Sequence, residues 1–543
     1  MTEDYKRYWL KEAIIYSLDI RSYKDRNNDG LGDLKGLLSK LDYLVDLGIN
    51  CLWLVPFYCS NDHDGGYDVI DYYEVDPKLG DLEEFKLLVQ KAKSQNIKIV
   101  IDLVVNHTSK EHPWFLEAKN TQSPYRNYYI WMKEKPANDR DDVVFKTVED
   151  SNWEYCEEAK SYYYHTFYKH QPDLNVANPA VQEEILNIIN FWMKTGVAGF
   201  RIDAVPHILK NKGEERFQGD PYDVIDIWKE AILAHDKEAI LIGEADVEPE
   251  DYPKFFNKGK KINGLFNFFL NNYLFLAMAE HCAKPLKKAF ERLPFPGYHG
   301  QYLNFIRNHD ELDLERLTVE ERARVFEVFA PCPFMRIYDR GIRRRFPPMV
   351  NNNLARVKLA MSFLLSLPGS PVIRYGEEIG MGDDLRLPER ESVRTTMQWD
   401  TSINGGFSAV DPNDLRWDVI NDEVYGYQSI NVANQQENTT SVLQQVKKMI
   451  STRKEQLALN YGIFKILETN HPQVMVYLYS LANEHVLVAH NLSYGEEHVQ
   501  VSESFNTNKF HVLLGDAEID LTASQQLILI MPAYSYCWLS FTT

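Results

Sequence analysis

The sequence predicts an α/β protein built on a closed (β/α)8 barrel, the TIM barrel, with an inserted lid subdomain after the third strand and a C-terminal antiparallel β-sandwich domain. Three observations predict it. Eight short apolar runs alternate with helical patterns, a long polar segment interrupts that alternation, and closely spaced β-patterns follow after about residue 463. A chain of 543 residues exceeds what one hydrophobic core supports, so more than one domain is expected.

The candidate barrel strands are short runs rich in apolar and β-branched residues. Helical patterns such as LKGLLSKLDYLVDLG and LEEFKLLVQKAKSQN separate them. A doubly wound open sheet is the alternative, and it is disfavoured because no glycine-rich nucleotide loop follows the first strand. The eight runs are AIIYSLD (13–19), CLWLVP (51–56), IKIVIDLVV (97–105), GFRIDAV (199–205), AILIGEA (239–245), GLFNFFL (264–270), YLNFIRN (302–308) and SPVIRYG (370–376).

Two segments depart from the alternation. Residues 108–178 are polar and rich in tyrosine and tryptophan, which indicates a lid inserted over the site. Beyond residue 463, runs such as QVMVYLYSL and QQLILIM are separated by turn residues, as in an antiparallel β-domain. The predicted domains are a catalytic barrel (1–107 and 179–462), an inserted lid (108–178) and a C-terminal β-domain (463–543).

Composition excludes several classes of partner. The net charge is −20, from 59 basic and 79 acidic residues, which argues against binding nucleic acid or an anionic membrane surface. The six cysteines are dispersed without a C-x-x-C pair, as expected of free thiols in a reducing compartment. The N-terminal segment has no apolar signal core, and no apolar run reaches transmembrane length. We therefore expect a cytoplasmic protein, and its oligomeric state, a homo-oligomer included, stays open.

Ionisable residues follow four of the candidate strands, where functional residues of such barrels gather. Each one alone is more often a structural polar residue at the start of a loop, but four such endings in order argue against coincidence. They are Asp102 and His107 at the end of the third strand, with the polar Asn106 beside them, Arg201 and Asp203 on the fourth, Glu244 on the fifth, and His309 and Asp310 on the seventh.

Glycoside cleavage explains this set of residues. Arg201 and Asp203 are two apart, so they share one face of a strand, and the arginine keeps the aspartate ionised as a nucleophile requires. In retaining enzymes one carboxylic acid protonates the leaving oxygen, while a second carboxylate, roughly 5–5.5 Å away, attacks the anomeric carbon. Histidines and a third carboxylate can hold sugar hydroxyls and favour a positively charged transition state.

At these residues the chain resembles the α-amylase family of retaining glycoside hydrolases, family 13, across the barrel, the lid and the C-terminal domain. The resemblance implies that Asp203 is the nucleophile, Glu244 the general acid/base and Asp310 the stabiliser of the transition state. Asp102 is expected to order its loop. The resemblance also implies a sugar pocket formed by Tyr67, Asp68, His107, Arg201, His309 and Arg394.

Within that family the chain most resembles the trehalose synthase group. The matching stretches are DGLGDLKGL, DGGYDVIDYY, HQPDLNVANPAVQ, RNHDELDLERLT, GIRRRFPP and GEEIGMGD. The likeness implies retaining double displacement that interconverts maltose and trehalose within one site, with side hydrolysis, on short α-glucosides and without an organic cofactor. Departures from the group's pattern are Val176, Asp246, LRLPERES (385–392) and Thr396, all near the expected acceptor side.

Two other functions compete with this one. The first is an α-1,4-glucosidase or oligosaccharide hydrolase of the same family, since water can replace glucose as the acceptor. Ala204, directly after the nucleophile, resembles members that act on α-1,4 bonds. The second is a catalytically inactive scaffold or binding subunit, which the intact Asp203, Glu244 and Asp310 argue against.

The segment DRNNDGLGD (25–33) has the pattern of oxygen ligands that is typical of a calcium-binding loop. Oxygen donors recur at alternating positions and a glycine allows a tight turn, although the loop is shorter than an EF-hand and lacks its final glutamate. The alternative is an Asx-rich surface turn, and the family likeness favours a structural calcium ion. The candidate ligands are Asp25, Asn27, Asp29, Asp33 and the carbonyl oxygen of Leu31.

A second metal position follows from the resemblance alone. Asn106, after the third strand, and Asp173, in QPDLN, match a calcium site between barrel and lid in some family members. Other members lack a metal there. The expectation is therefore one structural calcium in the 25–33 loop, with a second candidate at this pair.

Overall fold

A computed structural model describes residues 8–213, 216–505, 507 and 509–542, so the outer ends of the first and last predicted domains lie outside the described residues. Eight parallel strands, β1 to β8, close into a barrel in which each strand pairs with its neighbours in sequence and β1 also pairs with β8. The predicted TIM barrel is confirmed. The strands are Ile15–Leu18, Cys51–Leu54, Lys98–Leu103, Gly199–Ile202, Ile240–Gly243, Gly264–Phe266, Gln301–Phe305 and Ser370–Arg374.

Each of the eight apolar runs coincides with a barrel strand, and only the seventh strand begins outside its run, at Gln301. The strand register sets Arg201 of β4 opposite Asp102 of β3 and Ile242 of β5, which brings charged side chains of neighbouring strands together. A small apolar cluster that includes Ile15, Trp53 and Val372 fills the barrel interior. A parallel sheet buried on both faces explains why these strands appear as unbroken apolar runs.

The sixth run, GLFNFFL, only partly forms a strand. The strand ends at Phe266, and a helix begins at Phe268. Asn267 caps this helix, because its side-chain oxygen accepts a hydrogen bond from the backbone N–H of Leu270 at 3.2 Å. The helix is buried almost all round, so its apolar start could not be distinguished from a strand by periodicity.

Helices surround the barrel and most begin at recognisable caps. Asp33, Asp81 and Asn178 cap the helices that follow β1, β2 and the inserted segment, and Thr318 forms a capping box with Glu321. The α-helices outside the inserted segment are Leu34–Ser39, Leu41–Leu47, Leu82–Ser94, Pro179–Met193, Val205–Ile208, Asp223–His235, Tyr252–Phe256, Phe268–Glu280, Lys284–Arg292, Val319–Phe329, Phe346–Met349, Leu354–Ser366, Val432–Glu437, Val442–Glu455 and Ala458–Tyr461.

The segment between β3 and the helix Pro179–Met193 carries structure of its own. It contains the helix Pro113–Ala118 and a three-stranded antiparallel sheet of Trp131–Met132, Trp153–Cys156 and Ser161–Tyr164. Its far end contacts the β7–β8 connection, where the guanidinium of Arg340 donates to the carbonyl oxygen of Val144 at 2.6 Å. The boundaries 108–178 stay a prediction.

The C-terminal part is antiparallel, as predicted. The strands β9 to β16 form a five-stranded sheet in the order β9-β10-β11-β16-β13 and a three-stranded sheet in the order β12-β15-β14, with a shared apolar cluster that includes Val476 and Leu529. His490 and Trp538 both hydrogen-bond Ser362 at 2.9 Å, which joins this domain to the barrel. The strands are Ile463–Leu467, Val474–Leu481, Glu484–Asn491, Glu497–Ser504, His511–Gly515, Glu518–Leu521, Gln526–Met531 and Tyr536–Thr542.

Two further expectations concern free thiols and membrane-spanning segments. All six cysteines are free, and three of them, Cys51, Cys156 and Cys537, are buried. No helix in the described part of the chain has the length and apolar character needed to cross a membrane.

Candidate active site

A cavity of about 540 Å³ lies at the C-terminal ends of the barrel strands, within the usual size range of small-molecule sites. Asp203, Glu244 and Asp310 all line it, although Asp203 directly follows β4, Glu244 directly follows β5, and Asp310 lies in the loop after β7. Its other acidic lining residues outnumber its basic ones. The structure therefore brings the three predicted catalytic carboxylates to one cavity.

Arg201 is buried beneath the cavity, which it does not itself line, and joins the carboxylates there. Its Nη1 lies 2.7 Å from Oδ1 of Asp203, and its Nη2 lies 2.8 Å from Oε1 of Glu244. Nη1 also contacts Asp102, whose second oxygen accepts a hydrogen bond from Trp53 at 2.7 Å. Because one planar guanidinium holds both carboxylates, Asp203 and Glu244 are fixed side by side on neighbouring strands.

The backbone turns sharply directly after Asp203. Ala204 has a left-handed conformation, with φ of +48°, which is uncommon for a residue other than glycine. Its backbone N–H donates to Oε2 of Glu244 at 3.2 Å. The turn thus exposes Asp203 to the cavity and holds the second oxygen of Glu244.

Burial and the neighbouring arginines give the three carboxylates different pKa values. It raises the pKa of Asp203 to about 6 and that of Glu244 to about 7, and Arg201 opposes both shifts. Burial would also raise the pKa of Asp310, but the positive charges around it, with Arg390 the strongest and Arg394 among the others, together outweigh burial and hold that pKa below its usual value. Between pH 6 and 7, this arrangement favours an ionised Asp203 beside a protonated Glu244.

Asp310 belongs to a second charged group in which Arg390 is central. Nη1 of Arg390 lies 2.7 Å from Asp310, and its Nη2 lies 2.7 Å from Asp64. Arg394 contacts the same oxygen of Asp310 at 3.0 Å. Arg394 is predicted from the sequence, whereas Asp64 and Arg390 are not. Asp64 stands three residues before Tyr67, and Arg390 stands four residues before Arg394, in the same two loops.

The predicted aromatic and histidine residues largely assemble. The rings of Tyr67 and His309 are stacked, with centroids 5.3 Å apart, and Nε2 of His107 lies 3.1 Å from the carbonyl oxygen of Tyr67. Burial lowers the pKa of both histidines, so both are neutral near pH 7. Tyr67 and His107 line the cavity, and His309 and Arg394 lie behind it around a smaller space.

Asp68 does not reach the cavity. It is fully buried, and its Oδ1 accepts hydrogen bonds from the hydroxyl of Ser60 at 2.8 Å and from the backbone N–H of His63 at 3.2 Å. Asp64, from the same loop, lines the cavity in its place. The assignment of Asp68 to the sugar pocket is therefore corrected, because its carboxylate is used to hold the loop.

The loop 25–33 closes on its own carboxylates. Both oxygens of Asp25 accept backbone hydrogen bonds, from Asn28 at 2.6 Å and Gly30 at 2.9 Å. Asp33 and Asp29 accept hydrogen bonds from loop amides in the same way. Across the described residues, the one group of three metal-type side chains with converging atoms is Asp246, Asp313 and Glu315 instead. The loop has the hydrogen-bonding pattern of an Asx-rich turn, and a calcium ion held by its oxygen donors stays a prediction.

The predicted second metal position is occupied by an ammonium group. Nζ of Lys212 lies 2.6 Å from Oδ1 of Asn106 and also contacts Oδ2 of Asp173, with all three side chains buried. This positive charge fills the space and neutralises the carboxylate that a calcium ion would use. The prediction that Asn106 and Asp173 bind calcium is therefore wrong.

Sequence families agree with this architecture. The catalytic-domain family of α-amylases matches residues 15–328 and 339–462, and the C-terminal domain family of maltogenic amylases matches residues 464–538. The chain belongs to the α-amylase family. The α-amylase relationship covers both the barrel that carries the carboxylates and the domain that follows it.

The relatives of the chain include trehalose synthases. The chain is 36% identical to a trehalose synthase/amylase of Mycobacterium tuberculosis, over 98% of this chain and 90% of that protein. It is 37% identical to a trehalose synthase of Pimelobacter, over 89% and 87% of the two chains. A mutant isomaltulose synthase from Erwinia rhapontici, solved with its natural substrate sucrose, has a TM-score of 0.79 at 26% identity and covers 99% of this chain and 100% of its own.

Proposed function

We propose that this α-amylase family protein interconverts maltose and trehalose by transferring a glucosyl group within one site. The observation that carries the proposal is the pair of carboxylates on Arg201, with Asp203 at 2.7 Å and Glu244 at 2.8 Å from its two ends. Likeness to trehalose synthases over most of the chain supports the choice of substrate. Asp203 acts as nucleophile and Glu244 as general acid/base.

In the first step, an oxygen of Asp203 attacks the anomeric carbon of the non-reducing glucose of maltose. The bond from that carbon to the bridging oxygen breaks, and Glu244 gives its proton to this oxygen. A glucosyl ester on Asp203 and one free glucose result. A largely buried, neutral Glu244 with a pKa of about 7 is suited to donate this proton near neutral pH.

In the second step, the free glucose acts as acceptor. Its anomeric hydroxyl attacks the anomeric carbon of the ester, the hydroxyl proton passes to Glu244, and the bond to Asp203 breaks. Two inversions at the same carbon retain its configuration and yield trehalose. If water attacks instead, the product is glucose, so the outcome depends on which acceptor occupies the cavity.

The remaining pocket groups hold the sugar. Tyr67 and neutral His107 line the cavity without adding charge, and Tyr67 offers its ring to a pyranose while His309 packs against one face of that ring. Asp310, ionised by Arg390, stabilises the positive charge that develops at the anomeric carbon. A predominantly acidic lining favours neutral glucosides over phosphorylated ones.

Analysis of the products from maltose tests the proposal. Purified enzyme incubated with maltose should form trehalose as the main new disaccharide, with a smaller amount of glucose, measured by chromatography with authentic standards. Glucose without trehalose would replace the proposal with the hydrolase alternative, which a 31% identical oligo-1,6-glucosidase among the relatives supports. If maltose gave neither trehalose nor glucose, the result would contradict both functions.

We also propose a structural calcium ion in the loop 25–33. The donor set there is made of oxygens alone, which is the set that calcium prefers, and the loop packs against residues 407–409 through Asp25 and Ser408 at 2.6 Å. Asp25, Asn27, Asp29, Asp33 and the carbonyl of Leu31 would hold the ion. It would stabilise the loop and take no part in the reaction.

Metal analysis and melting curves test this site. We expect one calcium ion per chain after purification without chelator, and a melting temperature several degrees lower after chelation. Asp29→Ala should abolish the calcium-dependent part of that shift, because Asp29 is exposed and serves only the loop. Asp411→Ala, which removes another exposed Asx turn, should keep it. Fewer than one ion per chain would contradict the proposal.

A cytoplasmic location completes the proposed function. The six free cysteines support it, since thiols of secreted proteins are usually paired in disulfides.

A further inference from the structure

A small apolar cluster, the roof cluster, covers one side of the cavity. Its members are Phe145 from the inserted segment, Tyr168 near the end of that segment, and Ile337 and Tyr338 from the connection between β7 and β8. It is separate from the main core of the described residues. The ring of Phe145 stacks on Tyr338 at 4.4 Å between centroids and lies 4.7 Å from Tyr168. Two chain segments far apart in sequence therefore meet over the site.

The two roof tyrosines share one acceptor. The hydroxyl of Tyr168 donates to Oε2 of Glu389 at 2.7 Å, and the hydroxyl of Tyr338 lies 2.9 Å from that of Tyr168 and 3.3 Å from the same oxygen. Both tyrosines are at least nine-tenths buried. Hydrogen bonds to a carboxylate are stronger than those between neutral groups, so Glu389 ties the two sides of the roof together.

The residue after Glu389 is Arg390, which connects the roof to the catalytic carboxylates. Its guanidinium lies 5.1 Å from the ring centre of Phe145 on one side, and it binds Asp64 and Asp310 on the other. Two of these residues have a left-handed backbone, which is unfavourable for residues other than glycine. The angle φ is +55° at Tyr338 and +38° at Glu389. Non-glycine residues keep such conformations only where the surroundings enforce them, often at functional sites.

We infer that the hydroxyls of Tyr168 and Tyr338, by closing the roof cluster onto Glu389, keep the released glucose beside the glucosyl-enzyme and so set the ratio of isomerisation to hydrolysis. This inference rests on the proposed function for its products. Tyr168, Tyr338 and Glu389 are positioning residues, because they act through the shape of the cavity. They leave the cleavage of the first bond to Asp203 and Glu244.

Removing the two hydroxyls tests the inference with minimal disturbance. Tyr168→Phe and Tyr338→Phe keep the rings and their stacking, and the double variant should raise the ratio of glucose to trehalose from maltose roughly five-fold or more. Cleavage of p-nitrophenyl α-glucoside should stay within about two-fold of wild type, because its first step needs no retained acceptor. Tyr155→Phe, in an exposed strand of the same inserted segment, is the matched control and should change neither quantity.

A second measurement does not depend on which reaction the enzyme performs. Amide hydrogen exchange of residues 141–146 and 336–342 should be faster in the double variant and in Glu389→Ala, and unchanged in the control. If wild-type enzyme forms no trehalose, the proposed function fails, and the exchange rates still decide whether the hydroxyls close the roof. A wild-type product ratio in the double variant would overturn the inference, and so would unchanged exchange of both segments.

Discussion

Asp203→Asn is expected to lower kcat for maltose by a factor on the order of 10⁴ to 10⁶, because the amide cannot form the glucosyl ester. Formation of trehalose and release of glucose should fall together, since both begin with the same attack. The substitution keeps the volume of the side chain, and Arg201 retains its contacts with Glu244 and Asp102. Initial rates with maltose, followed by the amounts of trehalose and glucose, measure the effect.

The control for this substitution is Asp142→Asn. Asp142 also lines the cavity, but its carboxylate is largely exposed and lies 3.5 Å from Lys210. It should retain near-normal turnover, and both variants should keep a wild-type melting temperature within a few degrees. If Asp203→Asn kept near-normal turnover, or lost hydrolysis while keeping isomerisation, another group would be the nucleophile.

The barrel could be predicted from the sequence because its signals are local. Each strand is buried on both faces, so it appears as a short apolar run. Strands that follow one another in sequence are also neighbours in the barrel, so the charged residues at their ends lie side by side in the same order. Asp203 and Glu244 converge for this reason, and the contact between Arg201 and Asp203 follows from their spacing on one strand.

What escaped prediction depends on partners distant in the chain. Lys212 fills the predicted second metal position from 106 residues beyond Asn106, and no local pattern announces that contact. In the loop of DGGYD, side-chain direction follows no strand or helix periodicity, so Asp68 was chosen where Asp64 reaches the cavity. Arg390 was missed because its partners, Asp64 and Asp310, come from two other loops.

Glu244→Gln is expected to lower kcat for maltose by a factor on the order of 10² to 10⁴, because the leaving glucose is then not protonated. A substrate whose leaving group needs no proton, such as α-glucosyl fluoride, should lose much less in the first step. Glu248→Gln provides a matched control, since Glu248 follows the same strand but lies on the surface with Arg292 and Arg316. Comparing kcat/KM for the two substrates in each variant measures the effect.

The pH dependence of kcat/KM separates the two carboxylates. Activity of the wild type on maltose should fall below about pH 6, where Asp203 takes up a proton, and above about pH 7, where Glu244 loses one. With α-glucosyl fluoride, Glu244→Gln should keep the fall on the acidic side and lose the fall on the basic side. If the loss of activity at high pH persisted in this variant, another group would be the proton donor. Glu311 would then be the candidate, because burial raises its pKa to about 7 and it lines the same cavity.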